Sequence, residues 1–360
     1  MKQFTTFVKK EFLHILRDRW TTIILLLLPV VILILFGYMM TTEVKNTRFV
    51  IFDPVYNSDT RAVAERLSHS EYFIFEGYLD NTDQFDEVFR RGEAGLAVVF
   101  AEDQVQLMAD GSDPNTASTL VMYASNIISA YIHEQAEIQN GNLLQINSFA
   151  PQVKLLYNPS LKGAYNFVPG VMGMILMLIC AMMTSVSIAR EKENGTMEIL
   201  LVSPMKPLQI ILSKVVPYFV ISIVNLGTIL LISYFIMDVP VRGSFGLLVI
   251  VSLLFIFVSL SMGLLISSVV EKQMVALLIS GMVMMLPVIM LSGMLFPVEN
   301  MPWFLRWLSQ IIPAKWYIIA IKKIMIQGVG LQAVAKEMAV LGFMAVVLVS
   351  ASLKSFKYRL

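Results

Sequence analysis

Four apolar runs follow residue 165, at 168–189, 215–236, 247–270 and 274–293, and none contains an Asp, Glu, Lys, Arg or His. A helix needs about 20 mostly apolar residues to cross the hydrocarbon layer of a bilayer. Core helices of soluble proteins are shorter and interrupt their apolar positions with polar ones. A single soluble globule is therefore excluded. The composition agrees: 57% of residues are hydrophobic and 15% charged, with a mean hydropathy of +0.71, where soluble domains are about half apolar and about a quarter charged.

Two further runs bring the expected number of spans to six. Residues 21–40 are uncharged and follow a basic flank of Lys9, Lys10, Arg17 and Arg19. A cleaved signal peptide has an apolar core of about 7–15 residues and a small-residue cleavage site. This run is longer and lacks such a site, so it reads as an uncleaved anchor. The sixth run is 335–353. An even number of spans puts both ends on one side. The short segments on that side, 1–20, 190–214, 271–273 and 354–360, carry 13 Lys and Arg. On the other side, 237–246 carries Arg242 alone and 294–334 carries Arg306, Lys315, Lys322 and Lys323. The basic excess places both termini in the cytoplasm.

Residues 41–165 are of a different kind. They hold 17 acidic and 8 basic residues, about −9, while the rest of the chain holds 9 acidic and 19 basic, about +10. Short β-rich runs alternate here with helical ones: strands at 48–52, 72–78, 95–100, 104–109 and 153–157, a helix at 59–67, a second starting at Thr82, and a long one to about residue 139 capped by Asn115. Such alternation predicts a small α/β domain, inserted between the first two spans and lying outside the cell. The expected fold class is thus an α-helical integral membrane protein of six transmembrane helices with an inserted α/β extracytoplasmic domain. Its parts are 1–20, an interfacial helix; 21–40, the first span; 41–165, the external domain; and 166–360, the five-span region, with a cytoplasmic segment at 190–214 and a re-entrant one at 294–330.

Several functions are disfavoured. A net charge of +1 leaves no electrostatic footprint for nucleic acid. One cysteine, Cys180, excludes a disulfide framework, and the three histidines lie too far apart for a local metal motif. No catalytic constellation and no metal set is assigned. A charge in a span costs at least about 2.5 kcal/mol and marks ion paths and proton relays. Its absence from the second to fifth spans argues against both.

Three segments carry the mechanism. In 2–20, Phe4, Val8, Phe12, Ile15 and Leu16 recur at helical spacing, with Lys9, Lys10, Arg17 and Asp18 elsewhere, as in an interfacial helix. The second is Ala189-Arg190-Glu191-Lys192-Glu193-Asn194-Gly195-Thr196-Met197-Glu198, followed by Ile199-Leu200-Leu201-Val202-Ser203-Pro204. Gly195 suits a helix end, and Thr196 can cap a short helix at 197–202. A span end needs positive charge but not Glu191, Glu193 and Glu198, and a docking surface for a cytoplasmic partner accounts for these carboxylates. The third, 292–330, is cut by prolines into pieces too short to span, and Trp303, Trp307 and Trp316 suit the headgroup level. Methionines crowd the second and fifth spans. They read either as an adaptable surface for apolar ligands or as packing. Pro217 and Pro287 are candidate kinks.

Together these residues resemble the ABC-2-type transporter permeases, membrane subunits of ATP-driven exporters. The stretch from Arg190 to Pro204 is similar to that family's ARExExGTxExLLxxP segment, here with Asn194 before the glycine. Tyr157-Asn158-Pro159, Val168-Pro169-Gly170 and Gly293…Phe296-Pro297…Pro302 add to the likeness, and the external domain resembles the multidrug or lipid exporter branch. The resemblance implies a connecting helix at 2–20, a coupling helix at 197–202, and contact with the ATPase subunit through Arg190, Glu191, Glu193, Gly195, Thr196, Met197, Glu198, Leu200 and Leu201. It implies a substrate path that includes Met174, Met177, Asn225, Met284, Met285 and Phe296, between this chain and a second permease copy, either identical or a close paralogue. The chain has no G-x-x-x-x-G-K-[ST] loop, so it binds no cofactor itself, and ATP and Mg belong to a separate ATPase subunit. The chain is then no enzyme alone but a transport subunit in the bacterial inner membrane, moving amphipathic or lipid-like molecules outward. The large external domain suggests contact with a periplasmic adaptor. The alternative is a non-transporting envelope receptor or scaffold whose external domain binds a ligand or phage component. A membrane enzyme ranks third, because the spans hold no polar constellation.

Overall fold

The computed structural model describes residues 2–39, 46–54, 58–81, 84–101, 104–111, 114–139, 162–197 and 207–358. It divides into two compact units, Thr42–Leu161 and a second made of Met1–Thr41 with Lys162–Leu360.

The Thr42–Leu161 unit holds a four-stranded sheet in the order β2-β1-β3-β4. Strand β1 (Thr47–Phe52) runs parallel to β2 (Phe73–Leu79) and β3 (Leu96–Ala101), and β3 pairs antiparallel with β4 (Gln104–Ala109). Parallel neighbours need crossover connections. The helices α3 (Ser58–Ser68) and α4 (Gln84–Arg90) lie within them. Successive residues of a strand face opposite sides. Phe49, Ile51, Leu96 and Val98 accordingly pack with Leu67, Leu120 and Ile128 on one face, while Val50 and Ala97 pack with Phe85 on the other. Burial on both faces explains why the central strands read as unbroken apolar runs. The long helix α5 (Pro114–Gln139) begins at Pro114, so Asn115 is helical rather than the cap expected from sequence. Proline suits a first helical position because its φ is already set and its missing N–H is not needed there. The start expected at Thr82 and the strand expected at 153–157 lie outside the described residues.

The second unit is helical. Helices α1 (Lys2–Arg17) and α2 (Arg19–Met39) precede the sheet in sequence. After it come α6 (Ala164–Glu193), α7 (Pro207–Phe235), α8 (Phe245–Val269), α9 (Gln273–Leu278), α10 (Met284–Leu291), α11 (Trp303–Ser309), α12 (Pro313–Lys322) and α13 (Leu331–Tyr358). Five stretches among the described residues are long and apolar enough to cross a membrane: Ala164–Glu193, Leu212–Phe235, Phe245–Val269, Gln273–Leu291 and Leu331–Ser355. Within α2, the apolar stretch Leu25–Phe36 is shorter than these. The chain is thus a mostly helical, multi-pass membrane protein.

Helix α6 is the centre. Its apolar window is 72% buried, against 22% for that of Leu331–Ser355 at the periphery. It packs most extensively on α8, where a Cβ added to Gly263 would sit 2.6 Å from the Ala181 carbonyl oxygen and 2.8 Å from Thr184 Cβ. Small residues permit such close backbone approach between membrane helices. Tyr317 of α12 closes the core, stacked on Phe255 at 4.1 Å with its hydroxyl 2.9 Å from Ser252 Oγ. Helix α7 runs unbroken through Pro217. The irregularity of the fifth apolar stretch is a π-helical turn, Ile279–Val283, one turn before Pro287.

Beyond Leu291 the chain forms a 3-10 turn (Val298–Asn300), the short helices α11 and α12, and a second π-helical turn, Lys323–Gln327, that ends at left-handed Gly328. Its backbone is covered by protein, as an irregular segment at membrane depth requires. The amides of Arg242 and Gly243 donate to the carbonyls of Met325 and Ile324 at 2.9 and 3.1 Å.

Candidate functional site

The charged end of α6 is built by its own sequence. The helix stops at Glu193, with Asn194 as C-cap and Gly195 at φ +68°. Glycine accepts this left-handed conformation without the penalty that a Cβ carries. The Asn194 and Gly195 amides donate to the carbonyls of Arg190 and Lys192, each at 3.1 Å. Helix resumes at Thr196 and Met197. Glu198, Leu200 and Leu201, and most of the coupling helix expected at 197–202, lie outside the described residues.

From this end the charged side chains reach different elements. The Thr196 hydroxyl donates to the Glu191 carboxylate and, at 3.2 Å, to the Glu191 carbonyl. Thr196 thus turns back to α6. The Glu191 carboxylate also accepts from Lys214 of α7 at 2.9 Å, and the same ammonium donates to Glu11 of α1 at 3.0 Å. The Lys214 and Glu11 side chains are only 5% and 7% exposed. A charge so buried is tolerated only when paired and hydrogen-bonded. Lys192 donates to the Ser267 carbonyl and, at 3.3 Å, to that of Val270. These sit where α8 ends, and a helix C-terminus has carbonyls without intrahelical partners and a partial negative charge. Glu193 does the converse at the start of α9, accepting from the Gln273 amide at 2.9 Å and from its side-chain Nε2 at 3.0 Å. No side chain of Lys272, the N-cap residue, caps that helix, so a carboxylate from α6 fills the role. Arg190 points outward and is exposed. It lines, with Lys10, Glu11, Glu191, Lys214 and Tyr218, a cavity of about 250 Å³ beside the cluster.

The alternating charges of Arg190-Glu191-Lys192-Glu193 are therefore a clasp that joins α6 to α1, α7, α8 and α9. Sequence reasoning selected Glu191 and Glu193 but missed their partners Lys214, Glu11 and Gln273, and gave Lys192 no task. One local signal existed. Glu11 lies four residues before Ile15, on the apolar stripe of α1, where a carboxylate is out of place unless paired.

The residues expected along a substrate path are not brought together. Met174 and Met177 are sealed in the core and Met284 is buried, while Met285 and Phe296 lie on the outer surface. Asn225 is buried, and its Nδ2 donates to the Leu25 carbonyl at 3.2 Å, tying α7 to α2. None of the six lines either cavity described here in the helical unit. Among the described residues, no group of three His, Cys, Asp or Glu could hold a metal ion.

Known proteins can now be set beside this geometry. The chain is 31% identical over 335 residues to the "Probable multidrug ABC transporter permease YbhS" of Escherichia coli (strain K12), covering 89% of this chain and 87% of that one. It is 31% identical over 340 residues to "Probable multidrug ABC transporter permease YbhR" of the same organism, covering 91% of each. The "ABC transporter G family member 20" of Dictyostelium discoideum is 24% identical over 336 residues, which are 90% of this chain but 46% of that longer protein. A family profile described as "ABC-2 family transporter protein" matches residues 19–354, which include α6, its clasp and all five membrane-crossing stretches. The chain belongs to the ABC-2 family of transporter proteins.

Proposed function

We propose that this chain is the permease subunit of an ATP-driven exporter that moves amphipathic or lipid-like molecules outward. It works as two permease copies, identical or close paralogues, with two separate ATPase subunits that bind ATP and Mg. The observation that carries this reading is the clasp. Through Glu191, Lys192 and Glu193, one short segment grips α7, α8 and α9 as well as α1. A push delivered just beyond Thr196 by a partner that closes on ATP therefore reaches several membrane helices at once. That is what a gated two-state cycle requires of a coupling element. The substrate class follows from the uncharged spans, since a charge without a partner there costs at least about 2.5 kcal/mol.

In this reading the clasp lies on the cytoplasmic side of a bacterial inner membrane, Arg19–Met39 is a sixth span, and Thr42–Leu161 is external, open to a periplasmic adaptor. Arg190 supplies the test, because it is exposed and takes no part in the hydrogen bonds of the clasp. Arg190→Glu is expected to lower co-purification of the ATPase subunit and substrate-stimulated ATP hydrolysis several-fold, at unchanged thermal stability. Unchanged co-purification and hydrolysis would overturn the coupling role.

A further inference from the structure

A second cavity, of about 350 Å³, lies at the other end of α6. Asn166 stands in its wall, 24 residues before Arg190, or about 36 Å along a helix rising 1.5 Å per residue. The wall has two chemical characters. Ser292, Asn166, Lys322 and Lys323 form a polar side, and Leu295 and Ile319 belong to an apolar one. Among the described residues no carboxylate lines it.

Three observations point to a ligand. The Ser292 side chain is fully buried, and its hydroxyl has no hydrogen-bond partner, a state that natural structures rarely leave unexplained. The Lys322 ammonium is fixed at the wall by Asn166 Oδ1 and, at 3.3 Å, by the Gly293 carbonyl. Both are neutral oxygens, which orient the ammonium without cancelling its charge. Lys323 beside it is balanced by Glu337 at 2.8 Å, a carboxylate that is not part of the wall. Finally, the cavity's rim at Val298 leads into α11, whose Trp303 and Trp307 are 83% and 68% exposed. Exposed tryptophans of a membrane protein gather at headgroup depth.

We propose that this cavity binds a phosphate group, either the headgroup phosphate of an anionic phospholipid or free phosphate. Lys322 supplies the charge, Ser292 and Asn166 supply polar contacts, and the apolar side takes the first methylenes of a lipid chain. Strong, charge-assisted hydrogen bonds to phosphate oxygens are what such an arrangement offers. The site shares no residue with the clasp, and its test reads binding rather than transport, so it stands or falls apart from the exporter reading.

The test is calorimetric titration of the detergent-purified full chain with three probes: dihexanoyl-phosphatidylglycerol, dihexanoyl-phosphatidylcholine and inorganic phosphate. Saturable binding of phosphatidylglycerol is expected, weakened about tenfold by Lys322→Gln and about fivefold by Ser292→Ala. If inorganic phosphate binds as tightly, with the same losses in both variants, the ligand is free phosphate. Phosphatidylglycerol binding that is unsaturable, unchanged in both variants, or matched by phosphatidylcholine overturns the proposal. Ser292→Ala removes an atom with no protein partner, so it leaves the unliganded thermal midpoint unchanged and decides the matter even if Lys322→Gln folds poorly.

Discussion

Lys214 holds two carboxylates, Glu11 and Glu191, that no other feature of their helices would bring together. Removing one partner of a buried ion pair leaves an uncompensated charge and costs about 3–5 kcal/mol. Lys214→Met leaves two acids facing each other and is expected to lower the thermal unfolding midpoint of the purified chain by several degrees. The double variant Lys214→Met with Glu11→Gln should recover part of that loss. A single variant as stable as the parent would show that the network carries no stability. These contacts were out of reach of sequence reasoning, because Glu11 lies 203 positions from Lys214 and belongs to another helix. What was legible was that carboxylates at a span end needed a reason. A docking partner was the reason supplied, and the structure adds one inside the chain.

At the scale of the element, the fifth membrane-crossing stretch is not one regular helix. Proline at position 287 has no N–H to donate to the carbonyl four residues earlier, and its ring crowds that carbonyl. The wider turn Ile279–Val283 sits directly before it. Single π-helical turns inside α-helices are frequent at functional sites. Pro287→Ala is expected to let this turn tighten into regular helix, holding or raising the thermal midpoint while lowering export of an amphipathic dye from cells. Export equal to that of the parent at normal expression would remove the turn from the mechanism. The sequence marked the proline but not the form of the distortion, and it marked Pro217 equally, where α7 continues undisturbed. Proline tells where a helix must adjust, and the surrounding packing decides how. The helices themselves were legible because uncharged runs of span length have few other uses. The strands of the sheet were legible because apolar runs bounded by turn residues have few other uses.

For the whole molecule, sidedness can be measured directly. The single cysteine, Cys180, is buried, with its sulfur 3.1 Å from Ser222 Oγ, so introduced cysteines report with little background. Cysteine placed at Arg90 is expected to react with a membrane-impermeant maleimide on spheroplasts, and cysteine placed at Lys354 only after the membrane is broken. The reverse pattern would invert the topology. The contact at Gly263 bears on movement at the same scale. With no room for even a methyl group between α8 and the Ala181 carbonyl of α6, these two helices cannot roll past one another. They form a keel, and whatever change of shape the unit undergoes has to be carried by tilting that keel as one piece or by sliding the sparsely enclosed last helix along it.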